Sequence, residues 1–144
     1  MQLRPATIDD APLLLTWRND PVTRANSVHC EVVALADHLR WFAATLQNPK
    51  RKLLIAEDGG VSVGTIRIDV IDGESQELSW TVAPEARGKG VGKAMVALAI
   101  ASLRGTIAAV IKATNTASLR IAERLGFVLH HERGNILEYR LQKE

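Results

Sequence analysis

The sequence has few of the features that mark secreted, membrane or nucleic-acid-binding proteins. Cys30 is the one cysteine in 144 residues, which excludes an internal disulfide and suits a reducing cytoplasm. No apolar run approaches the roughly 20 residues that a membrane span needs, and the N-terminus lacks a signal-peptide pattern. The net charge of +2 is too small to argue for nucleic acid. We therefore expect a cytoplasmic protein with no membrane or nucleic-acid partner.

Histidine, glycine and proline are also too scattered to indicate special organisation. His130 and His131 are adjacent, so they alternate across a predicted strand, and His29 beside Cys30 lacks partners at ligand spacing. We therefore predict no metal site. The 10 glycines and 5 prolines lie at separate turns, without linker, repeat or low-complexity tract. A chain of this length buries about two thirds of its surface, so we expect residues 1–144 to form a single domain.

The most informative stretch is a glycine-rich turn between a strand pattern and a helix pattern. Alternating residues from Glu77 to Val82 precede it, and apolar residues at helical spacing begin at Val91. Its glycines remove side chains where the first amides of the helix have no intrahelical partner. Such a turn, at the positive end of a helix dipole, is typical of a phosphate-binding site. The turn is Arg87-Gly88-Lys89-Gly90-Val91-Gly92-Lys93, whose arginine and lysines add positive charge.

Two common phosphate-binding motifs do not fit this turn. A P-loop requires Ser or Thr after Gly-Lys, whereas Ala94 follows Gly92-Lys93 and supplies no hydroxyl for magnesium. The dinucleotide fingerprint fails because Lys93 takes the place of its third glycine. The spacing R-x-x-G-x-G from Arg87 to Gly92 resembles the pyrophosphate-binding motif of the GCN5-related N-acetyltransferase (GNAT) family, which binds acetyl-CoA. The alternative is a solvated, glycine-capped helix start with incidental basic residues.

A second stretch strengthens this resemblance. Asn115 or Thr116 can cap a helix whose apolar stripe ends at Leu125, and Gly126 supplies the left-handed stop before Phe127. An Asn-led helix that closes on Gly-Phe is similar to the corresponding segment of the GNAT family. The two motifs occur in the family's order, separated by one helix and one strand. The resemblance therefore implies the family's fold and an acetyl-CoA-dependent N-acetyltransferase activity.

The periodicities predict the order strand, two helices, three strands, helix, strand, helix and two strands. A meander followed by βαβ units implies an α/β fold with a mixed, mostly antiparallel sheet of six or seven strands and helices on both faces. The segment from Val22 to Val33 has no readable pattern. The second helix is predicted over about 34–46, and the residues expected on its buried face are Leu35, Leu39, Phe42, Ala43 and Leu46.

The resemblance also implies a cofactor site. In the family, the strand before the turn bulges and separates from its neighbour, so that the pantetheine arm of acetyl-CoA pairs with the exposed edge. This role falls on the backbone of Thr81, Val82 and Ala83, and the Val82 N–H becomes the candidate that stabilises the oxyanion. Asn115 is expected to bond the pantetheine or to cap its helix. The predicted cofactor-binding residues are Thr81, Val82, Ala83, Arg87, Gly88, Lys89, Gly90, Val91, Gly92, Lys93, Asn115 and Ser118.

Glu77 and Ser118 are the candidate catalytic residues. A primary amine is mostly protonated at neutral pH and needs a base. Many family members carry a carboxylate at the place of Glu77, which shares a strand face with Ser79 and Thr81. The alternative is a solvated or paired strand carboxylate. Family members often have a tyrosine acid where this chain has Ala122, so Ser118 becomes the donor to the leaving sulfur, unless it only caps its helix.

The N-terminal half resembles two branches of the family. Trp17-Arg18-Asn19, with the later His38 and Trp41, is closer to enzymes that acetylate nucleotide-linked amino sugars than to those that acetylate ribosomal-protein N-termini. Arg18 could meet a diphosphate, and a tryptophan could stack on a ring. The alternative places Trp17 in the core and leaves Arg18 and His38 solvated. The predicted acceptor-binding residues are Trp17, Arg18, Asn19, His29, His38 and Trp41.

Two other classes of function are alternatives at this stage. Without the family's tyrosine, the domain could bind acyl-CoA as a sensor and transfer nothing. A nucleic-acid-binding module would use Arg87, Lys89, Lys93 and the basic run 50–52, but interleaved aromatic residues are absent. The sequence thus predicts acetyl-CoA as cofactor and a small-molecule amine as partner. It does not determine the acceptor or the acyl chain, and it leaves a homodimer open.

Overall fold

A computed structural model describes all 144 residues, which form seven strands and five α-helices. The strands are β1 (Gln2–Pro5), β2 (Arg51–Asp58), β3 (Val61–Val70), β4 (Ser75–Val82), β5 (Gly105–Lys112), β6 (Val128–Arg133) and β7 (Ile136–Lys143). The helices are α1 (Ala11–Arg18), α2 (Pro21–Ala25), α3 (Leu35–Gln47), α4 (Val91–Ala101) and α5 (Thr116–Arg124). Short 3-10 turns at Ile8–Asp10 and Pro84–Ala86 precede α1 and the glycine-rich turn.

The strands form one mixed sheet in the order β1-β2-β3-β4-β5-β7-β6. Every neighbouring pair is antiparallel except β4 and β5, whose parallel pairing covers only Ser75 to Glu77 opposite Thr106 to Ala108. Past these residues the two strands are no longer paired, which opens a gap in the middle of the sheet. The predicted fold class is confirmed, and so is the predicted order, apart from α2 in the segment without a readable pattern.

Helices cover both faces of the sheet. Alternate residues of β3 point to opposite faces: Gly64 lies beneath Met95 of α4, whereas Arg67 lines a cavity with residues of α1 and α3. The approach of α4 is close, because a Cβ on Gly64 would lie 2.6 Å from the Met95 sulfur. A Cβ on Gly92 would likewise lie 2.6 Å from Ile121 Cδ1. These two glycines therefore let α4 place its first turn against the end of β4.

The predicted buried face of α3 is wrong except at Phe42, which is buried as expected. Leu35 and Leu39 are 55% and 40% exposed, while His38, Phe42 and Thr45 are buried. The imidazole of His38 compensates for its burial with a 2.8 Å hydrogen bond from Nε2 to the carbonyl of Ala11. The helix is therefore rotated toward its aromatic side, and its leucines face outward. None of the helices combines the length and hydrophobicity that crossing a membrane requires.

Candidate functional site

Two adjoining cavities meet where β4 and β5 separate. The first, here called the turn cavity, encloses about 270 Å³ between the end of β4, the glycine-rich turn and the start of α5. The second, the Glu77 cavity, encloses about 490 Å³ between β3, β4, β5 and the first three helices. Both are lined by Trp80, Thr81, Asn115 and Ser118. A ligand lying through this junction would contact both cavities.

The glycine-rich turn carries a continuous row of free backbone donors. The N–H groups of residues 87–93 donate to no backbone carbonyl, and the first amide of this region that is bonded is that of Ala94, 3.2 Å from the Gly90 carbonyl. No side chain accepts from residues 87–93 either. Gly88 and Gly90 have φ of 75° and 76°, a region that favours glycine, and the space beside each is open. This turn fits a diphosphate.

The edge of β4 presents only part of the predicted backbone set. The N–H of Ala83 donates to the Val63 carbonyl at 2.8 Å, and alternation along the strand turns the Thr81 backbone to β3 as well. Trp80 and Val82 therefore face the gap beside β5. The prediction is wrong for the backbone of Thr81 and Ala83, whereas Val82 is directed as expected. The expected bulge is also missing, because β4 pairs with β3 without a shift of register.

The predicted cations of the turn differ in their surroundings. Arg87 is not free: its Nη2 lies 2.6 Å from Asp20 Oδ2 and 2.9 Å from Thr23 Oγ1. It ties α2 to the turn, and it lowers the pKa of Asp20 below its ordinary value, with help from the Thr23 amide. Lys89 donates to the Glu85 carbonyl at 3.1 Å. Lys93 is exposed on the first turn of α4. A positive charge at this end of a helix is unfavourable by itself, and a bound anion would be attracted by both the lysine and the helix dipole.

Ser118 lies at the junction of the two cavities and is held from two sides. Its N–H donates to Asn115 Oδ1 at 3.3 Å, so Asn115 caps α5. Its Oγ accepts the indole N–H of Trp80 across the gap at 3.2 Å. Since the oxygen already accepts a hydrogen bond, its own O–H is directed elsewhere. Ala122, in the position where the family often has tyrosine, is fully buried and offers no acid.

Glu77 lines the larger cavity at the last paired position of β4 and β5. Burial raises the pKa of its carboxyl above the ordinary value, and the nearby charge of Arg67 acts in the opposite direction. The Glu77 carboxylate forms no ion pair. The nearby Arg67 is paired instead with Asp69, at 3.2 Å. A half-buried carboxylate with a raised pKa and an open cavity in front of it has the character of a general base.

Three of the predicted acceptor-binding residues are structural. Trp17 is 3% exposed and His38 is 1% exposed, so both belong to the floor of the Glu77 cavity. Burial is the main cause of the lowered pKa of His38, and the hydrogen bond to Ala11 acts in the opposite direction. Asn19 does not line the cavity: its amide donates to the Val33 carbonyl and accepts the Val33 N–H, both at 2.8 Å. Direct acceptor contact therefore stays a prediction for Trp17 and His38, which line the cavity, and of the predicted set only Asn19 lies outside the lining.

The other three reach the cavity. Arg18, His29 and Trp41 line it, and the Arg18 guanidinium carbon lies 4.9 Å from the centre of a Trp41 ring. The sequence reasoning missed Arg67 and the pairing role of Trp80. Arg67 could have been found, since it lies on the same strand face as its cross-strand neighbour Ser79. The Trp80–Ser118 contact joins residues far apart in sequence and left no local signal.

Comparison with known proteins places this geometry in a family. The model of a family described as "Acetyltransferase (GNAT) domain" matches residues 1–128. No curated protein sequence matches the chain with significance. Solved structures match its fold over nearly the whole length, at sequence identities too low to carry a substrate.

Three of these structures illustrate the likeness. A spermidine N-acetyltransferase from Vibrio cholerae, in complex with CoA and spermine, has a TM-score of 0.85 at 16% identity and covers 99% of this chain and 95% of its own. The protein yncA from Salmonella typhimurium, with acetyl-CoA, has 0.77 at 21% identity and covers 100% and 94%. A ribosomal-protein-alanine N-acetyltransferase from Brucella melitensis has 0.75 at 24% identity and covers 99% of both chains.

Proposed function

The chain belongs to the acetyltransferase (GNAT) domain family, and on that premise we propose that it transfers the acetyl group of acetyl-CoA to a primary amine. The observation that carries the proposal is the row of unpaired N–H groups from residue 87 to residue 93 beside the opened sheet. A diphosphate satisfies such donors, and the adjoining gap has room for an extended arm. Two of these fold relatives were solved with acetyl-CoA or with CoA and an amine, which is in keeping with this choice.

Each part of the turn cavity has a task in binding. The amides from Gly88 to Lys93 hold the diphosphate, and the gap-facing backbone of Trp80 and Val82 pairs with the amides of the pantetheine. Gly92 has no side chain, which allows α4 to approach Ile121 closely. When bound, acetyl-CoA supplies an activated acetyl group. The remaining chemistry belongs to side chains of the Glu77 cavity.

Glu77 takes the proton that an ammonium acceptor must lose before it can attack. Its raised pKa is closer to the pKa of the amine than that of an ordinary carboxylate. The proton passes to it directly or through a water. The new N–C bond forms as the C–S bond breaks. The Val82 N–H, turned to the gap, donates to the carbonyl oxygen on which negative charge develops.

Ser118 completes the set as proton donor. Because Trp80 occupies one lone pair of its oxygen, the O–H can turn toward the departing sulfur and protonate it. The ammonium gives one proton to Glu77, which passes it to solvent before the attack, and the nitrogen loses a second proton to solvent by the same route as the amide forms. Ser118 gives one proton to the sulfur and is reprotonated from solvent, so one net proton is released in each turnover. The CoA thiol is itself a modest acid, so this donation assists departure and is not indispensable.

The acceptor in this proposal is a small primary amine. A nucleotide-linked amino sugar is the version suggested by the Trp17-Arg18-Asn19 motif, of which Trp17 and Arg18 line the cavity together with Trp41. A peptide N-terminus is the alternative. Neither is favoured by a contact specific to it.

Calorimetric titration with CoA and a thiol-release assay with a panel of amines test the proposal together. We expect one CoA site, and release of CoA that depends on both acetyl-CoA and amine. Binding without amine-dependent release would replace the enzyme with an acyl-CoA sensor. Absence of CoA binding would contradict both.

A further inference from the structure

The Glu77 cavity has an excess of positive charge for a site that receives an ammonium group. Its lining holds three cationic side chains, Arg18, Arg67 and Lys112, against two carboxylates, Glu31 and Glu77. Once Glu77 has accepted the proton of the acceptor amine, only Glu31, on the exposed rim, opposes the cations. A purely cationic acceptor would add to this excess.

Of the two arginines that line the cavity, Arg18 is the one without a carboxylate partner. It forms no ion pair, whereas Arg4, Arg40, Arg51, Arg67, Arg87 and Arg140 all do. Its guanidinium rests on the ring of Trp41, 4.9 Å from the centroid, and is open to the cavity. Loss of surrounding water and then the charge of Arg67 lower the pKa of Arg18. A planar guanidinium fixed on a ring, with unused donors, is suited to bidentate binding of a carboxylate or phosphate.

Arg67 is a second cation, and its charge acts on both Arg18 and Glu77. It lies on β3 directly across from Ser79, with Nη2 3.4 Å from the serine Oγ. Its carboxylate partner, Asp69, is shared with Arg51 at 2.5 Å, so the three groups carry a net positive charge. The cavity wall is therefore positively charged on the Arg18 side and carries its carboxylates at Glu77 and at Glu31 on the rim.

We propose that the acceptor is an anionic amine, whose carboxylate or phosphate group is bound by Arg18 while its amine faces Glu77. This rests on the proposed function and narrows it: zwitterionic and phosphorylated amines fit the cavity, and polycations such as polyamines do not. The anion could belong to an amino acid, a phosphorylated amine or a nucleotide-linked amino sugar, which share the chemistry that Arg18 recognises.

Matched pairs of acceptors test the proposal and separate those sources. Glycine is compared with glycinamide, O-phosphoethanolamine with ethanolamine, and a uridine-diphosphate amino sugar with the free amino sugar; spermine is the polycation. We expect at least one anionic member to exceed its neutral partner in kcat/KM. In Arg18→Met that ratio should fall about ten- to a hundredfold, the range for a lost charged hydrogen bond, and in Arg40→Met, on the outer side of α3, it should not change.

A binding readout separates this inference from the proposed function. The thermal shift produced by the preferred anionic amine is measured without acetyl-CoA in both variants and in the wild type. A shift that is present in the wild type and lost in Arg18→Met supports the anion site, whether or not CoA binds in calorimetry. Equal or better use of neutral amines or spermine, or an anion response that survives Arg18→Met, would overturn it. So would a panel in which no anionic amine is bound or acetylated.

Discussion

The turn cavity and the Glu77 cavity differ in the chemical groups that line them. The turn cavity is made largely of main chain, with free amides from residue 87 to 93 and the gap-facing edge of β4. The Glu77 cavity is made of side chains from elements distant in sequence, including Arg18, Arg67 and Glu77. A backbone site needs only a glycine-rich turn ahead of a helix, whereas a side-chain site depends on how several helices lie over the sheet. The first therefore depends on few particular side chains, and the second depends on several.

The largest effect is expected at Glu77, the side-chain part of the comparison. Glu77→Gln should lower kcat by about a hundredfold or more, the range for loss of a general base, and should remove the acidic limb of the pH–rate profile. That limb lies above the ordinary carboxyl range, since burial raises the pKa of Glu77. CoA affinity should not change. Glu74→Gln, on the exposed β3–β4 turn, is the control.

The same variant has an opposite effect on stability. A carboxyl whose folded pKa is raised stabilises the fold when protonated, and this contribution is lost as pH rises through the folded pKa. Glu77→Gln should therefore equal the wild type in acid and exceed it in free energy of unfolding near neutrality. Chemical denaturation across pH measures this. An unchanged pH–rate profile would contradict Glu77 as the general base. A loss of stability at neutral pH would contradict its raised pKa.

The turn cavity is tested by Gly90→Ala. Its φ of 76° disfavours alanine by about 1–2 kcal/mol, so the chain either strains or rotates the amides out of alignment. We expect roughly tenfold weaker CoA binding in calorimetry, with little change in the acceptor KM. Gly60→Ala, at φ 83° in the β2–β3 hairpin with open space around it, should lose comparable stability and keep CoA affinity. Equal effects of both changes on CoA would mean that the turn is merely a strained loop.

The junction of the cavities is tested by Trp80→Phe. Losing the indole N–H frees the Ser118 oxygen to rotate, and we expect kcat to fall several-fold, up to about tenfold, at unchanged CoA affinity. Ser118→Ala should cause a similar loss. Because both changes interrupt one interaction, the double variant should be no worse than Ser118→Ala. Additive losses would show that the two residues act separately.

Variants of Asn19 test how much its hydrogen bonds to Val33 stabilise the helices beside the Glu77 cavity. Asn19→Ala leaves the Val33 N–H and carbonyl without their 2.8 Å partners, which should reduce the free energy of unfolding by about 1–3 kcal/mol. Asn19→Asp keeps the acceptor for the amide and loses the donor, so its loss should be smaller. CoA binding to either variant, measured under conditions where it is folded, should match that of the wild type. A change in acceptor KM without loss of stability would instead restore Asn19 as a contact residue.

The smallest effect is expected at His38. A base with a folded pKa below its ordinary 6.5 stabilises the fold above the unfolded pKa and loses that contribution as pH falls through the folded value. The difference in unfolding free energy between wild type and His38→Phe should therefore shift against the wild type below pH ~6.5. Denaturant titrations over this range measure it. A difference that does not vary with pH would contradict a neutral, buried imidazole.

The same contrast explains what could be predicted from the sequence. The glycine-rich turn, the Asn115 helix and the order of strands follow from local rules of capping and periodicity, and the family assignment they suggested is confirmed. The fold class follows from that order. The close packing of Gly92, in the first turn of α4, against Ile121 could not be predicted from spacing.

The errors fall where tertiary contacts decide between equal local choices. The leucines of α3 have good helical spacing, but the aromatic side of the helix is buried because His38 finds the Ala11 carbonyl. Arg87 fits a phosphate motif and lines the turn cavity, but the pairing of its side chain with Asp20, distant in sequence, was not predicted. Asn19 stands in a conspicuous Trp-Arg-Asn motif and is used to hold Val33. The spacing of apolar residues along the sequence does not reveal these hydrogen-bond and ion-pair partners.

Amide chemical shifts during titration with CoA test the central claim most directly, since they report on main-chain donors one by one. We predict that the largest shifts belong to the amides of residues 88–93, with Val82 and Trp80 next, and that they are weakened in Gly90→Ala. Amides of the β2–β3 hairpin should stay unchanged. Saturable binding whose shifts lie outside the turn, or no response at all, would contradict the account.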